Sequence, residues 1–561
     1  YGLINETTPY AMERVFMPWP DMYQKMEEYK IPLYSLESFR PLIEFPLIGF
    51  TLQYEMSYTN ILAMLKLAGI PLRSKDREND DYPLIIGGGP CSVNPEPIAP
   101  FFDLFLIGDG EEALKEIMTV TASYLKQGKI TDKQNLLKEL SMIRGVYVPK
   151  DYNAEYDNAG KYIGTYNFND SKIKVKKALV KNLEESYYPT KIVIPFVDAV
   201  HDRMMLEVLR GCTHGCRFCQ AGMYYRPVRE KSVSRLLTIS ESLVPASGYD
   251  DISLTSLSTA DYTGVEELVK LLIQRYEDKK ISISLPSLRV DTFSVNLAKM
   301  IQKVRKTGFT FAPEAGTQRM RDVINKGVTE EDLLVSLEGA FNAGWERVKL
   351  YFMIGLPEET DEDIIGIIKL SKKVLSLGRS ISKGRNIKVT VSVSSFVPKP
   401  FTPFQWFGQN SRDELIRKQN ILKDSLREFG KGLTLSYHYS ELSVLEGMLA
   451  RGDRKLADLL EEVHNSGCMF DSWDEFFDKD KWDKAFFKLG IDRRFYSERF
   501  FDLEDNLYWD HIDLGVKKSY LWNEYQKSKE QNITKDCRLG CTGCGVCVDD
   551  IKMDIKGQYR G

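Results

Sequence analysis

Nowhere in the chain is there an uncharged apolar run of about 18 or more residues, so no membrane-spanning helix and no membrane partner are expected. Charge of one sign is not in excess either. The 76 Lys and Arg stand against 80 Asp and Glu, a formal net charge of -4 over 561 residues. So balanced a chain is not built for non-specific nucleic-acid binding or for electrostatic docking on a membrane. Cysteine is scarce: nine residues are too few for a disulfide scaffold. No signal-peptide pattern is present, which makes the expected location cytoplasmic. The chain opens Tyr1-Gly2-Leu3-Ile4-Asn5 without a Met and reads as if it starts inside a structural element, so an upstream segment is expected. Apolar side chains are plentiful at 43%, which excludes wholesale disorder. The length suggests about three to five structural units.

Seven of the nine cysteines fall in two tight runs. The first is Cys212-Thr-His-Gly-Cys216-Arg-Phe-Cys219. The second, Cys537-Arg-Leu-Gly-Cys541-Thr-Gly-Cys544-Gly-Val-Cys547, lies near the carboxyl end. Cys91 and Cys468 stand alone and read as buried small hydrophobes. Three thiolates on one short loop suit three corners of a cubane iron–sulfur cluster and leave the fourth iron open for chemistry. Zinc is the competing reading, but structural zinc wants four ligands, usually as two separated pairs. No fourth cysteine stands near the first run, and closure by His214 from inside the loop would be cramped. In the second run four thiolates are too close for a two-knuckle zinc site and resemble a bacterial ferredoxin run with the three-residue gap moved to the front. A second 4Fe–4S cluster is expected there, held by four cysteines or by three with one site left open. Electron relay and substrate anchoring are both open as its task.

The spacing of Cys212, Cys216 and Cys219, with Phe218 before the last cysteine and Leu209-Arg210-Gly211 ahead of the first, resembles the signature of the radical S-adenosylmethionine (radical SAM) superfamily. The resemblance implies that SAM chelates the open iron, and that an electron from the cluster cleaves SAM to a 5′-deoxyadenosyl radical that abstracts a substrate hydrogen. It also implies an electron donor such as a flavodoxin or ferredoxin.

Strand-like runs alternate with helical ones after the first cysteine run, as a barrel requires. They are Met205–Leu209, Asp251–Ser256, Ile281–Leu285, Phe309–Ala312, Val348–Met353 and Ile387–Ser394. Val265 to Tyr276 carries a 3.6-residue apolar stripe, and Thr329–Asp332 and Thr360–Asp363 read as helix starts. Six such units fit a partial (β/α)6 barrel with its ligands at the carboxyl ends of the strands. By the resemblance, Ser258 and Thr259 would contact the SAM amino group and Glu314 the ribose. Gly355 would form the adenine-binding turn, and Arg289, after the third strand, would be a further SAM contact. Each has a plainer reading: Gly355 relieves a turn, Glu314 caps a helix, and Arg289 pairs with a surface acid.

Ahead of the barrel, Pro46–Leu52, Pro83–Ile86 and Leu104–Ile107 read as buried strands. The last two run into the glycine turns Gly87-Gly88-Gly89 and Gly108-Asp109-Gly110. The expected fold class is therefore α/β: an amino-terminal doubly wound parallel sheet, a central barrel, and a mostly helical carboxyl region with a Cys-rich tail. The amino-terminal part resembles the cobalamin-binding domain of one radical SAM subgroup, which would put Thr51 and Gly87, Gly88 and Gly89 near the cofactor's nucleotide tail. That domain's histidine-bearing Asp-x-His-x-x-Gly loop is not in this chain. It was lost with the missing start, or cobalamin binds without a His ligand, or it does not bind. A scaffold sheet is the plainer reading.

The expected boundaries are 1–125 for this domain, 126–200 for a connecting segment, 201–405 for the barrel, 406–530 for a helical region and 531–561 for the tail. Lys172–Lys177 alternates like an exposed edge strand. Arg412–Phe429 and Leu442–Glu462 carry helical stripes. Glu446-Gly447 to Arg454, Phe470–Trp473 and Trp509–Gly515 look like a radical SAM subfamily of unsettled activity. The function expected is modification of an unactivated carbon on RNA, protein or a metabolite, with cobalamin-dependent methyl transfer as one form. The alternatives are methylthiotransferase-like sulfur insertion drawing on the tail cluster, and a non-catalytic redox sensor or scaffold. Methylthiotransferases carry a cysteine-bearing front domain that this chain lacks.

Overall fold

Each strand expected from an apolar or β-branched run forms in the computed structural model, which describes residues 1–78, 82–197, 199–200, 202–285, 309–382 and 386–547. The chain divides into two units, described separately. The first holds Tyr1–Val180, Pro398–Pro400 and Val444–Gly515; the second holds Lys181–Val397, Phe401–Ser443 and Val516–Gly561.

In the first unit β1 (Leu47–Thr51), β2 (Leu84–Gly88) and β3 (Leu104–Leu106) pair in parallel in chain order, with β4 (Val146–Tyr147) antiparallel at the edge. Helices α1 (Tyr58–Leu67) and α2 (Ala113–Ser123) follow β1 and β3. Leu84, Ile86, Leu104 and Leu106 pack with Ala113 and Ile117 in one core. Val175–Lys176, inside the run read as an edge strand, pairs in parallel with Ile512–Asp513.

The second unit has seven parallel strands in two sheets among the described residues. One sheet is β5 (Met204–Glu207), β6 (Asp251–Thr255) and β7 (Ser282–Ser284). The other is β8 (Phe309–Glu314), β9 (Arg347–Ile354), β10 (Lys388–Ser395) and β11 (Leu433–Tyr437). Helices α3 (Val233–Ser247) and α4 (Val265–Tyr276) pack on the first sheet. Helices α5 (Glu330–Asn342), α6 (Asp361–Ile381) and α7 (Arg412–Phe429) pack on the second. The capping signals work as read: the Asp332 carboxylate accepts from the Thr329 N–H at 2.8 Å, and the Asp363 carboxylate from the Thr360 N–H at 2.9 Å. Helix α8 (Lys518–Lys529) precedes the tail.

Three differences from the sequence reading stand out. The barrel gains a strand: β11 was not expected and pairs with β10 in parallel. The helix expected over Leu442–Glu462 is two, Ser440–Ala450 and Leu456–Asn465. It breaks where Arg451, fully buried, donates to the carbonyls of Ser497 and Arg499. The expected 406–530 region is divided at Val444 and Val516. Its middle joins the first unit because buried polar groups there find partners. Asn94 Nδ2 donates to the carbonyls of Ala450 and Gly452 at 3.0 Å, Thr59 Oγ1 to Asp471 at 2.6 Å, and Arg454 to Glu96 at 2.9 Å.

Candidate functional site

The first cysteine run leaves β5 through a short antiparallel ribbon, Leu209–Arg210 against Arg229–Glu230. Gly211 then turns the chain with φ +97, where a Cβ would lie 2.8 Å from the carbonyl oxygens of Tyr225 and Pro227, so only glycine fits. Cys212, Cys216 and Cys219 follow on one loop, capped by the helical turn Ala221–Tyr224. The Cys219 N–H donates to the Cys216 carbonyl at 3.2 Å, and the Gly222 N–H donates to Cys219 Sγ at 3.3 Å. Burial, helped by Cys216, pushes the Cys219 thiol up to about 11. A bound metal would have to draw off that proton.

Among the described residues no three His, Cys, Asp or Glu side chains are grouped to hold a metal ion as they stand. The donor set nevertheless suits an iron–sulfur cluster: three soft thiols on one loop, with a backbone N–H already aimed at one sulfur. Phe218 is half-buried beside the last ligand.

Arg217, inside the motif, was not picked out from the sequence. It is wholly buried and donates to Glu524 of α8 and to the carbonyls of Asp322, Val323 and Asn532. A charged residue between two cysteines was the available signal, but its partners are distant in sequence.

The second cysteine run lies against the first. The Cys537 N–H donates to the Thr213 carbonyl at 3.2 Å, and Thr213 Oγ1 donates to Asp536 at 2.8 Å. His214 is not a ligand closing the loop from inside. Its ring sits between Asp261 at 2.7 Å and Asp536 at 3.2 Å. Arg538 reaches Asp261 at 2.7 Å and Asp536 at 3.0 Å. Burial works to raise the Asp261 carboxyl, but hydrogen bonds from His214 and Ser258 and the charge of Arg538 outweigh it and hold the group ionised. Buried Arg226 donates to the carbonyls of Gly222 and His214, and its charge faces Cys537 and Cys544 of the second run. Cys544 is buried, Cys537 half-buried, and Cys541 and Cys547 exposed.

The strand ends of this unit carry the other candidate residues. Ser258 and Thr259 are both buried. The Ser258 hydroxyl donates to Asp261 and the Thr259 hydroxyl to the Leu254 carbonyl at 3.1 Å. Glu314, at φ +67, accepts from Lys326 at 3.1 Å. Pro313 and a register shift next to it end the regular pairing of β8. Gly355, at φ +82, donates its N–H to the buried Glu359 carboxylate at 2.7 Å, and Lys418 pairs with that carboxylate at 2.8 Å. Asn410 Oδ1 lies 3.3 Å from where a Gly355 Cβ would be. Arg289 lies outside the described residues. Among the described residues, the buried Ser284 Oγ, Ser395 Oγ and Asn410 Oδ1 at this end find no protein partner. Such atoms suit a polar ligand.

Thr51 and the Gly87–Gly89 turn lie in the first unit, at the ends of β1 and β2. A Cβ on Gly87 would meet Phe105 at 2.7 Å, and one on Gly89 the Leu52 carbonyl oxygen at 2.6 Å. Both glycines therefore serve chain packing. Gly88 is different: its nearest atom would be the Leu106 carbonyl oxygen at 3.6 Å, and Thr51 is exposed.

Comparison with known proteins gives the family. The profile of the family described as "Radical SAM superfamily" matches residues 206–371, and that of "Radical SAM proteins, N-terminal" matches residues 1–149. MJ0966 of Methanocaldococcus jannaschii, an uncharacterized protein, is 31% identical over 444 residues, 79% of this chain and 85% of its own length. PH0819 of Pyrococcus horikoshii, named an uncharacterized methyltransferase, is 24% identical over 304 residues, 53% of this chain and 59% of its own length. The solved structure of the radical SAM methyltransferase TsrM from Kitasatospora setae, with cobalamin and a [4Fe-4S] cluster bound, is 13% identical with a TM-score of 0.43, covering 67% of each chain. The chain belongs to the radical SAM superfamily. It is a radical SAM enzyme, and the family implies a 4Fe–4S cluster and SAM. No helix among the described residues is long and apolar enough to cross a membrane.

Proposed function

We propose that this chain modifies an unactivated carbon of its substrate by radical SAM chemistry, with Cys212, Cys216 and Cys219 as the cluster ligands. The observation that carries the reading is the three-cysteine loop at the carboxyl end of β5, in a unit whose strand ends also carry buried polar atoms with no partner among the described residues. When bound, the cluster and SAM supply a reductively generated 5′-deoxyadenosyl radical. The chain's own residues hold and shield that chemistry. The Gly222 N–H steadies the Cys219 sulfur, and Gly355 with Asn410 offers a backbone turn and an acceptor suited to an adenine amino group. Ser258 is oriented by Asp261, and Lys326 turns the Glu314 carboxylate.

Cys537, Cys541, Cys544 and Cys547 are proposed to hold a second 4Fe–4S cluster, with Arg226 countering thiolate charge. Reduction would come from a flavodoxin or ferredoxin. Methyl transfer is the favoured form of the reaction, supported by the name of the P. horikoshii relative. Cobalamin bound by the first unit, against Thr51 and Gly88, belongs to that form. Sulfur insertion is the second reading, favoured by the contact of the tail run with the Cys212–Cys219 loop.

The test is 5′-deoxyadenosine release by the anaerobically reconstituted chain with SAM and dithionite. The wild type should form it, and C212A/C216A/C219A should not. Equal yields would refute the proposal. Corrinoid absorbance on the purified full chain, and mass spectrometry of RNA and protein for added methyl or methylthio groups, separate the two readings.

A further inference from the structure

A loop carrying three ligands has no hydrogen-bond ladder of its own, so its shape depends on what its backbone groups meet. In the Cys212–Cys219 loop three successive carbonyls are taken up from outside. Thr213 O accepts from the Cys537 N–H at 3.2 Å, His214 O from Arg226 at 3.2 Å, and Gly215 O from Asn325 Nδ2 at 3.1 Å. Asn325 is held in turn by the tail, its Oδ1 accepting from the Thr534 N–H at 2.8 Å. The side chains repeat the pattern. Thr213 and His214 both bond Asp536, 323 residues beyond Thr213, and Arg538 ties Asp536 to Asp261, the residue that orients Ser258.

We propose that Asp536 and Arg538 are positioning residues for the first cluster: the tail segment before Cys541 holds the Cys212–Cys219 loop in its ligand-presenting shape and sets the Ser258 hydroxyl through Asp261. This differs from a tail that merely carries a second cluster, because the contacts come from the Asp536 and Arg538 side chains and from backbone, not from the thiols. The inference rests on the proposed role of Cys212, Cys216 and Cys219 as cluster ligands.

The test uses the full chain carrying D536A/R538A, with the single variants D536N and R538Q as milder forms should the double variant fail to fold. In the metal-free chain, amide hydrogen exchange within 212–219 and 256–261 should rise about tenfold or more, with the strands of the second unit unchanged. In the reconstituted chain, the first cluster should lose its resistance to a chelator and the change in its EPR signal on adding SAM. R538K should restore part of both. Unaltered exchange in both segments, or a chelator-resistant first cluster that still responds to SAM in D536A/R538A, would overturn the proposal. Should the wild type bind no cluster through Cys212, Cys216 and Cys219, the functional reading fails, while the exchange measurement still decides whether the tail shapes the loop.

Discussion

Arg217 and Glu524 form an ion pair of 3.2 Å with 0% and 2% of their side chains exposed, binding the first cysteine loop to α8. Replacing Glu524 leaves the buried Arg217 charge to backbone carbonyls alone, and replacing Arg217 removes those three bonds and leaves Glu524 to Lys527 and Thr534. Breaking such a buried pair costs about 3–5 kcal/mol. R217M and E524Q should each lose stability on this scale in urea unfolding followed by far-UV circular dichroism. The double variant R217M/E524Q should lose less than the two single losses summed. Equal, additive losses would mean the two side chains are not coupled.

Gly108 sits at φ +106, where a Cβ would lie 2.1 Å from the Ala178 carbonyl oxygen. The Ala178 N–H also donates to the Ile107 carbonyl, so neither segment can withdraw without losing a backbone bond. G108A should destabilise the first unit by at least about 2–4 kcal/mol. Limited proteolysis should then cut within Tyr1–Val180 before the second unit. G88A, with its roomier surroundings, should be milder.

His464 and His511 are buried in the first unit, and burial takes each down to about 4, with Lys66 adding to the effect at His464 and Glu96 opposing it at His511. An unfolded histidine titrates near 6.5, so between that value and about 4 the unfolded chain binds more protons than the folded one. Stability should therefore fall as pH drops through this window, by up to about 3 kcal/mol for each histidine, and be flat above it. Thermal melts across the range check the slope, and H464L should remove part of it.

Removing the four tail thiols together should lower iron from about eight to about four per chain if each run holds one cubane cluster. Anaerobic reconstitution followed by iron and sulfide analysis reads this directly. A value unchanged from wild type would assign all the iron to the first run.

Legibility in the sequence followed the range of the forces involved. The parallel strands Leu47–Thr51, Leu84–Gly88 and Leu104–Leu106, and those of the barrel from Met204–Glu207 to Lys388–Ser395, could be read because local apolar runs decide them. The capping pairs at Thr329 and Thr360 could be read because they act over three residues; the hairpin Tyr152–Tyr156 with Tyr162–Asn167 was not. Leu433–Tyr437 was missed: it follows directly on α7 and is too exposed to present an apolar run. The break near Arg451 and Asp453 was hidden because their partners, Ser497 and Arg499 for one and Tyr156 and Tyr496 for the other, lie far along the chain. The cysteines announced their chemistry by spacing. That the tail run meets the first loop was beyond any window, since Thr213 and Asp536 share no local pattern.

The three stretches composing the first unit, 1–180, 398–400 and 444–515, impose an order on its birth. Glu96, Thr59 and Asn94 leave the ribosome long before Arg454, Asp471 and the Ala450 carbonyl that satisfy them. At roughly 5–20 residues per second, the nascent amino-terminal part spends on the order of tens of seconds incomplete. A cell making this protein must therefore shelter an unfinished half while the intervening barrel emerges, and a message cut short ahead of the codon for Gly515 would leave that half without its complement.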